Sequence, residues 1–209
     1  MDQAETDPDY LALLQDAYHY LGRFAATRAR LCQILSRRRE RAQGTLSDHD
    51  RALVAAVADR CIELGLIDDA AYARARARSL ADRGKGERAI RADLRSRGVG
   101  DDDASAGIAA LQADEGGASA ADLAAATRLA RRRGLGPFGP PWPGDSEQEA
   151  KARRRALGMF ARAGISYGAA DLVLNAEDED ALQAALDDRQ QSGRSVRVPD
   201  NGDGMGDDL

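Results

Sequence analysis

Apolar residues in this chain recur at intervals of three and four, in short blocks that glycine interrupts, which places them on one face of successive α-helices. From Tyr10, the recurrence of Leu14, Tyr18, Leu21 and Phe24 predicts a first helix. Thr27 is placed to cap a second, with Leu31, Ile34 and Leu35 on one face, the run Arg37-Arg38-Arg39 at its end and a loop over 42–46. Ser47 with Asp50 three residues on resembles a capping box and opens a third helix, which turns Leu53, Val54, Val57, Cys61 and Ile62 inward. Asp68 or Asp69 caps a fourth, anchored by Tyr72 and Leu80. A fifth over 87–97 faces Ala89, Ile90 and Leu94 inward, and a sixth from Asp101–Asp103 carries Ile108 and Leu111. Helices over 120–133 and 146–163 and a ninth, capped by Ser166 and carrying Leu172 and Val173, complete the pattern. The Pro- and Gly-rich stretch 134–144 fits neither helix nor strand.

Three of these boundaries use one device. Gly65-Leu66, Gly98-Val99 and Gly164-Ile165 each set a glycine before a branched apolar residue. Glycine takes the left-handed conformation that closes a helix, and the next residue folds back onto its last turn. The blocks also repeat. With Leu31, Ile90 and Ala156 in register, each copy has a helix, a link and an arginine-rich second helix with apolar residues four apart. The predicted fold is all-α: three tandem three-helix, helix-turn-helix-like units in an elongated, curved array. Their expected spans are 10–66, 67–115 and 118–176, the last with a Pro-rich insert at 134–146. Residues 1–9 are expected to be a disordered acidic N-terminus. Residues 177–209 are expected to be an acidic, largely disordered tail with room for one short helix.

Composition agrees with a row of thin units. Hydrophobic residues make up 43 % of the 209, but many are alanine, and aromatics are only 4 %; alanine contributes little apolar area to a core. The net charge of −5 conceals a segregation. Residues 1–21 carry five acids and no base, and residues 22–100 carry eighteen Arg or Lys against ten Asp or Glu. Residues 176–209 carry ten acids against three arginines. A basic body between acidic ends suggests a polyanionic or acidic partner for the body. Cys32 and Cys61, 29 positions apart in apolar-periodic stretches, read as small buried residues of a cytoplasmic protein, not as a disulfide. No stretch approaches the length of a membrane span.

The central residues also resemble a known family. Leu64-Gly65-Leu66-Ile67-Asp68-Asp69-Ala70-Ala71-Tyr72-Ala73, then Arg83-Gly84-Lys85-Gly86, then Ile90-Arg91-Ala92-Asp93-Leu94-Arg95-Ser96-Arg97-Gly98-Val99, resemble the signature of the RecX family of recombinase regulators. Gly164-Ile165-Ser166-Tyr167 matches the start of that family's last helix, and the similarity runs from about Leu14 to Asn175. In the first unit, Arg39 stands where a terminating glycine is expected. The resemblance implies a modulator of RecA that lies in the groove of the RecA–DNA filament and inhibits its recombinase and ATPase activity. It also implies a place in DNA repair, recombination and the SOS response, and contact with single- or double-stranded DNA. A monomer is expected. The alternative from the residues alone is a sequence-independent DNA-binding protein.

No catalytic site, cofactor or metal site is expected. His19 and His49 have no cysteine or carboxylate at ligand spacing. Gly84-Lys85-Gly86 lacks the preceding glycine, the following Ser or Thr and the strand of a phosphate loop, and reads as a tight turn. The binding candidates are basic: Lys85, Arg88, Arg91, Arg95 and Arg97 around the fifth helix, and Arg74 and Arg78 on the fourth. Arg88, Arg91 and Arg95 share a face away from Ile90 and Leu94, and arginines without interleaved acids repel one another unless a partner neutralises them. Arg131-Arg132-Arg133 offers a third basic group, and Trp142 reads either as a partner anchor or as packing for the insert.

Overall fold

The computed structural model describes residues 7–195, side chains through 192; residues 1–6 and 196–209, with the expectations placed on them, lie outside that range. Ten α-helices follow in order: α1 Pro8–Leu21, α2 Arg28–Gln43, α3 Asp48–Glu63, α4 Asp69–Asp82, α5 Glu87–Ser96, α6 Asp101–Asp114, α7 Ala118–Arg133, α8 Ser146–Arg162, α9 Tyr167–Asn175 and α10 Glu179–Ser195. Among the described residues there is no strand. Three buried clusters follow the chain, over α1–α3, α4–α6 and α7–α10. The molecule is thus an elongated array of three small helical units, each packed on the next.

The first unit departs from the sequence pattern in instructive ways. Asp7 caps α1 through the Asp9 amide at 2.8 Å, so the helix begins before Tyr10. Its inward face is Tyr10, Leu13 and Ala17, while Tyr18 and Phe24 are 42 % and 51 % exposed. The larger side chains misled, because the small Ala17, fully buried, is what lets α1 approach its neighbours closely. Phe24 lies beyond the helix end and packs on Tyr20 with ring centroids 5.3 Å apart.

The arginine run does not end α2. The helix continues to Gln43 and closes at Gly44 with φ 85°. Arg39, inside it, donates to both carboxylate oxygens of Asp9 at 3.0 and 2.8 Å and to Asp50 at 2.9 Å, binding all three helices of the unit. Asp50 completes the expected capping box with Ser47. The Ser47 hydroxyl and then Arg39 hold its carboxyl down to about 2. Ile62, expected inward, is 42 % exposed.

The glycine-closed helix ends form as expected, with one shift. Val99 and Ile165 are buried, and their amides donate to the Leu94 and Phe160 carbonyls across the closing turn. At Gly65 the following Leu66 is exposed, and Ile67 is the residue that folds inward. Gly65 closes the third helix of its unit, whereas Gly98 and Gly164 close the second helices of theirs. The second-helix register holds in burial: Leu31 and Leu35, Ile90 and Leu94, and Ala156 and Phe160 are all buried.

The second unit has the thin core that composition predicts. Ala73, Ala77, Ala81 and Ala104 are buried beside Leu80, Ile90, Leu94, Val99, Ile108 and Leu111. Only the branched residues bring about 1.5–3 kcal/mol each when fully buried. Small residues compensate by allowing close packing. A Cβ on Gly107 of α6 would lie 3.0 Å from the Ala73 backbone of α4.

The third unit is larger than expected. The Pro-rich insert contains one 3₁₀ turn, Gly136–Phe138, and Leu135, Phe138 and Trp142 pack on the unit's core. Trp142 has the Arg153 guanidinium 5.4 Å from its ring centre, so it packs the insert onto its own unit. The acidic segment after 177 is corrected over 179–195, where it forms a 17-residue helix. Leu182 is 2 % exposed, Ala185 and Leu186 pack beside it, and Glu179 pairs with Arg131 at 2.9 Å. Apolar residues three and four apart on α10 supply a face that the acidic composition obscured.

Candidate partner-binding face

The expected binding residues belong to α4, α5 and the turns that flank α5. Gly84-Lys85-Gly86 is the joint between the second and third units. The Gly86 amide donates to the Ala163 carbonyl at 2.9 Å. A Cβ on Gly86 would lie 2.4 Å from the Gly164 carbonyl oxygen, and one on Gly84 would lie 2.8 Å from the Leu129 amide nitrogen. Both glycines are buried in the seam, and Lys85 between them is half-buried. A second link is the ion pair of Arg128 on α7 with Glu115 at 2.7 Å. The seam between the first and second units is polar: the Thr27 hydroxyl donates to the Arg97 carbonyl at 2.7 Å and the Arg28 amide to Asp69 at 3.0 Å.

Four of the seven residues are already paired. Arg78 pairs with Asp114. Arg91 donates to Glu87 at 2.9 Å and to the Ser105 hydroxyl at 3.0 Å. Arg95 lies 3.5 Å from Asp101. Arg97 donates to Asp93 at 2.8 Å and to the Tyr72 hydroxyl at 3.3 Å. Asp93 also receives both prongs of Arg76 at 2.8 Å, and this pair, with Arg97, holds its carboxyl down to about 2 against the opposing effect of burial. The expectation of a self-repelling face of Arg88, Arg91 and Arg95 is therefore corrected for Arg91 and Arg95. Two of the acids were legible: Glu87 precedes Arg91, and Asp93 precedes Arg97, by the four residues that put them on one helix face. Asp101 and Asp114 come from α6, and only the packing of α4 and α5 on α6 brings them in.

Arg74, Lys85 and Arg88 remain without a carboxylate partner among the described residues. Arg74 and Arg88 are exposed. Lys85 and Arg88 border a groove of about 580 Å³ between the second and third units, with apolar walls that include Ile90, Leu111, Leu123 and Leu172. Burial pushes the Cys61 and Cys32 thiols up from their ordinary range. Cys61 is buried as expected and Cys32 is half-buried. Among the described residues no group of three His, Cys, Asp or Glu is arranged to hold a metal ion, and no helix is long and apolar enough to cross a membrane.

The class defined by the fold is an all-helical tandem array of three units, with a glycine joint between the second and the third. The profile described as the RecX second three-helix domain matches residues 68–108, which cover α4, α5 and the first part of α6. The chain is 34 % identical over 174 residues to a protein of Myxococcus xanthus (strain DK1622) named Regulatory protein RecX, covering 82 % of this chain and 87 % of that one. It is 36 % identical to its namesake from Mycobacterium sp. (strain JLS), over 78 % of this chain and 82 % of that one. The crystal structure of RecX from Lactobacillus salivarius shares the fold, with a TM-score of 0.55 at 19 % identity over 86 % of this chain and 97 % of that one. The chain belongs to the RecX family of regulatory proteins.

Proposed function

We propose that this protein binds the RecA–DNA filament in the cytoplasm and inhibits its strand-exchange and ATPase activity, as a monomeric regulator of DNA recombination, repair and the SOS response. The reading is supported by membership of a family of regulatory proteins together with one structural observation: Arg74, Lys85 and Arg88 are charged and unneutralised on the second unit. An unpaired cation gains more from an incoming carboxylate or phosphate than one already held in an ion pair. Arg78, Arg91, Arg95 and Arg97 take part by exchanging an internal partner for an external one, which makes each a smaller contributor.

The test is a titration of purified protein into RecA-driven, DNA-dependent ATP hydrolysis. Inhibition at or below equal amounts is expected, and an unchanged rate across a wide range defeats the proposal. The double variant Lys85→Ala/Arg88→Ala is expected to weaken inhibition about tenfold, the combined effect of two solvent-exposed ion pairs of about 0.7 kcal/mol each. Arg95→Ala is expected to act more weakly.

A further inference from the structure

We infer that the groove between the second and third units is a docking site for the chain's own C-terminal segment, residues 196–209, whose aspartates meet Lys85, Arg88 and Arg189 while its apolar residues enter between the walls. Docked there, the segment covers Lys85 and Arg88 and competes with the partner proposed above. That consequence rests on the RecA reading; the docking itself does not.

Three observations carry it. The first is position. α10 runs back along α7: Glu179 pairs with Arg131 near the end of α7, and Arg189 donates to the hydroxyl of Ser119, near its start, at 3.2 Å. Gln190 lies against Gly116, where an added Cβ would be 2.8 Å from the Gln190 Cα, and Arg189 is itself part of the groove's lining. The described helix runs on to Ser195, about 7.5 Å further at 1.5 Å per residue. The 14 residues that follow reach about 46 Å when extended, at about 3.3 Å each, so the groove is within their span. The second is charge. Lys85, Arg88 and Arg189 border the groove and have no carboxylate partner among the described residues. The acids of the lining are occupied. Glu87 accepts from Arg91 and Gln112, both at 2.9 Å, Glu115 from Arg128 at 2.7 Å, and Asp122 from the Ser166 amide at 3.1 Å. α5 and α7 both begin at the groove, on Gly86 and Gly117, which provide no side-chain cap, so the positive ends of two helix dipoles add to the cations. Residues 196–209 carry Asp200, Asp203, Asp207 and Asp208 against Arg197 alone. The third is the wall. The groove of about 580 Å³ is lined by apolar side chains, Leu172 among them at 38 % exposed, and the segment sets Val196, Val198, Met205 and Leu209 among its acids.

A basic rim around apolar walls suits a segment that is both acidic and apolar. A purely charged ligand would satisfy the rim and leave the walls wet, whereas aliphatic side chains remove that surface from water. Attachment at the groove's edge adds to the fit. A tethered segment meets its site at an effective concentration on the order of millimolar, so contacts too weak to hold a free peptide suffice. Exposed ion pairs are weak singly and screened by salt. Docking is therefore reversible, and a partner with more contacts displaces the segment.

The experiment is carbodiimide cross-linking of the full chain, which joins an amine to a carboxylate in contact with it, followed by tryptic digestion and mass spectrometry. Lys85 and Lys151 are the chain's two lysines, and Lys151 is the more exposed. The expected product joins 84–88, through Lys85, to 198–209 within a single chain, with a yield that falls in high salt. Leu172→Glu sets an acid in the wall without burying it and should lower that yield at least about threefold. Absence of this product, an equal or larger yield from Lys151, a product found only between two chains, or an unchanged yield in Leu172→Glu overturns the inference. No recombinase is present, so failure here leaves the RecA reading standing, and failure of the ATPase titration leaves the docking standing. In that titration Asp200→Asn/Asp203→Asn/Asp207→Asn/Asp208→Asn should inhibit at about one-third of the parent's concentration, as for a site about two-thirds covered. An equal or higher concentration overturns the masking of Lys85 and Arg88.

Discussion

The second and third units are both rich in arginine, yet a larger share of the second unit's arginines sits on carboxylates. Around α4 and α5, Arg76, Arg78, Arg91, Arg95 and Arg97 each sit on a carboxylate, and Asp93 serves two of them. Around the end of α7 and along α8, Arg132, Arg133, Arg154, Arg155 and Arg162 sit on none among the described residues. The charges therefore enter the two units differently. In the second unit it ties together short helices whose alanine-rich core supplies little apolar area. In the third, Phe160, Leu123, Leu129 and the added α10 enlarge the core, and ion pairs are fewer: Arg128, Arg131 and Arg153 are paired, while the other five named above take part in none among the described residues.

That contrast can be broken at its joint. Gly86→Ala drives a methyl group to within 2.4 Å of the Gly164 carbonyl oxygen, and neither backbone can yield without parting the second unit from the third. A loss of about 3 kcal/mol, the upper end for overpacking a close contact, is expected as a lower urea midpoint. A midpoint equal to that of the parent chain would show the two units to be loosely joined.

A smaller effect should distinguish the paired unit. Asp93→Ala leaves Arg76, whose side chain is 22 % exposed, without its counter-charge, and about 2 kcal/mol should be lost. Acidification reports the same group. A carboxyl held below its unfolded value stabilises the fold above that value and loses the contribution as pH falls through the folded one. For Asp93, at about 2 in the fold against an ordinary 3.8, stability should decline on the order of 2 kcal/mol between about pH 4 and pH 2. Asp50 titrates over the same window. In Asp93→Ala the decline should be shallower. An identical acid profile in the variant would remove Asp93 from the account.

The smallest effect belongs to the unpaired cations. Arg132→Ala/Arg133→Ala/Arg162→Ala should alter unfolding free energy by less than about 0.5 kcal/mol and raise the thermal midpoint slightly at low salt, because repulsion is relieved and no ion pair is broken. A clear destabilisation would mean that these side chains hold the third unit together after all.

Helix positions were the most legible part of the chain. The caps Thr27, Ser47, Asp68 and Ser166 all act as read, because an N-cap needs only its own side chain and an amide two or three residues away. Faces were less legible. On α1 the pattern of larger apolar residues points to the wrong face, and the structure buries Tyr10, Leu13 and Ala17; at the Gly65 turn it buries Ile67, one residue beyond the expected Leu66. Which face is buried depends on how closely a neighbouring helix approaches, and small residues permit the closest approach. The helix α10 was underread because acids dominate its composition, although Leu182, Ala185 and Leu186 share a face.

By itself the sequence determined the all-helical class and the glycine-closed helix ends, which rest on residues within one or two helical turns of one another, and the tandem repeat and family signature, which rest on the recurrence and order of such local patterns. That Gly84 and Gly86 form the joint to the third unit came only from the packing. It did not determine which of its many arginines are free. Glu87 with Arg91 and Asp93 with Arg97 were within reach of a helical wheel, but Arg76 with Asp93, Arg78 with Asp114 and Arg128 with Glu115 join residues 13 to 36 positions apart. Only the packing of one helix on another decides whether a cation meets an acid. Coulomb attraction falls off over a few ångströms near a solvated surface, so it follows distance in space and not separation along the chain.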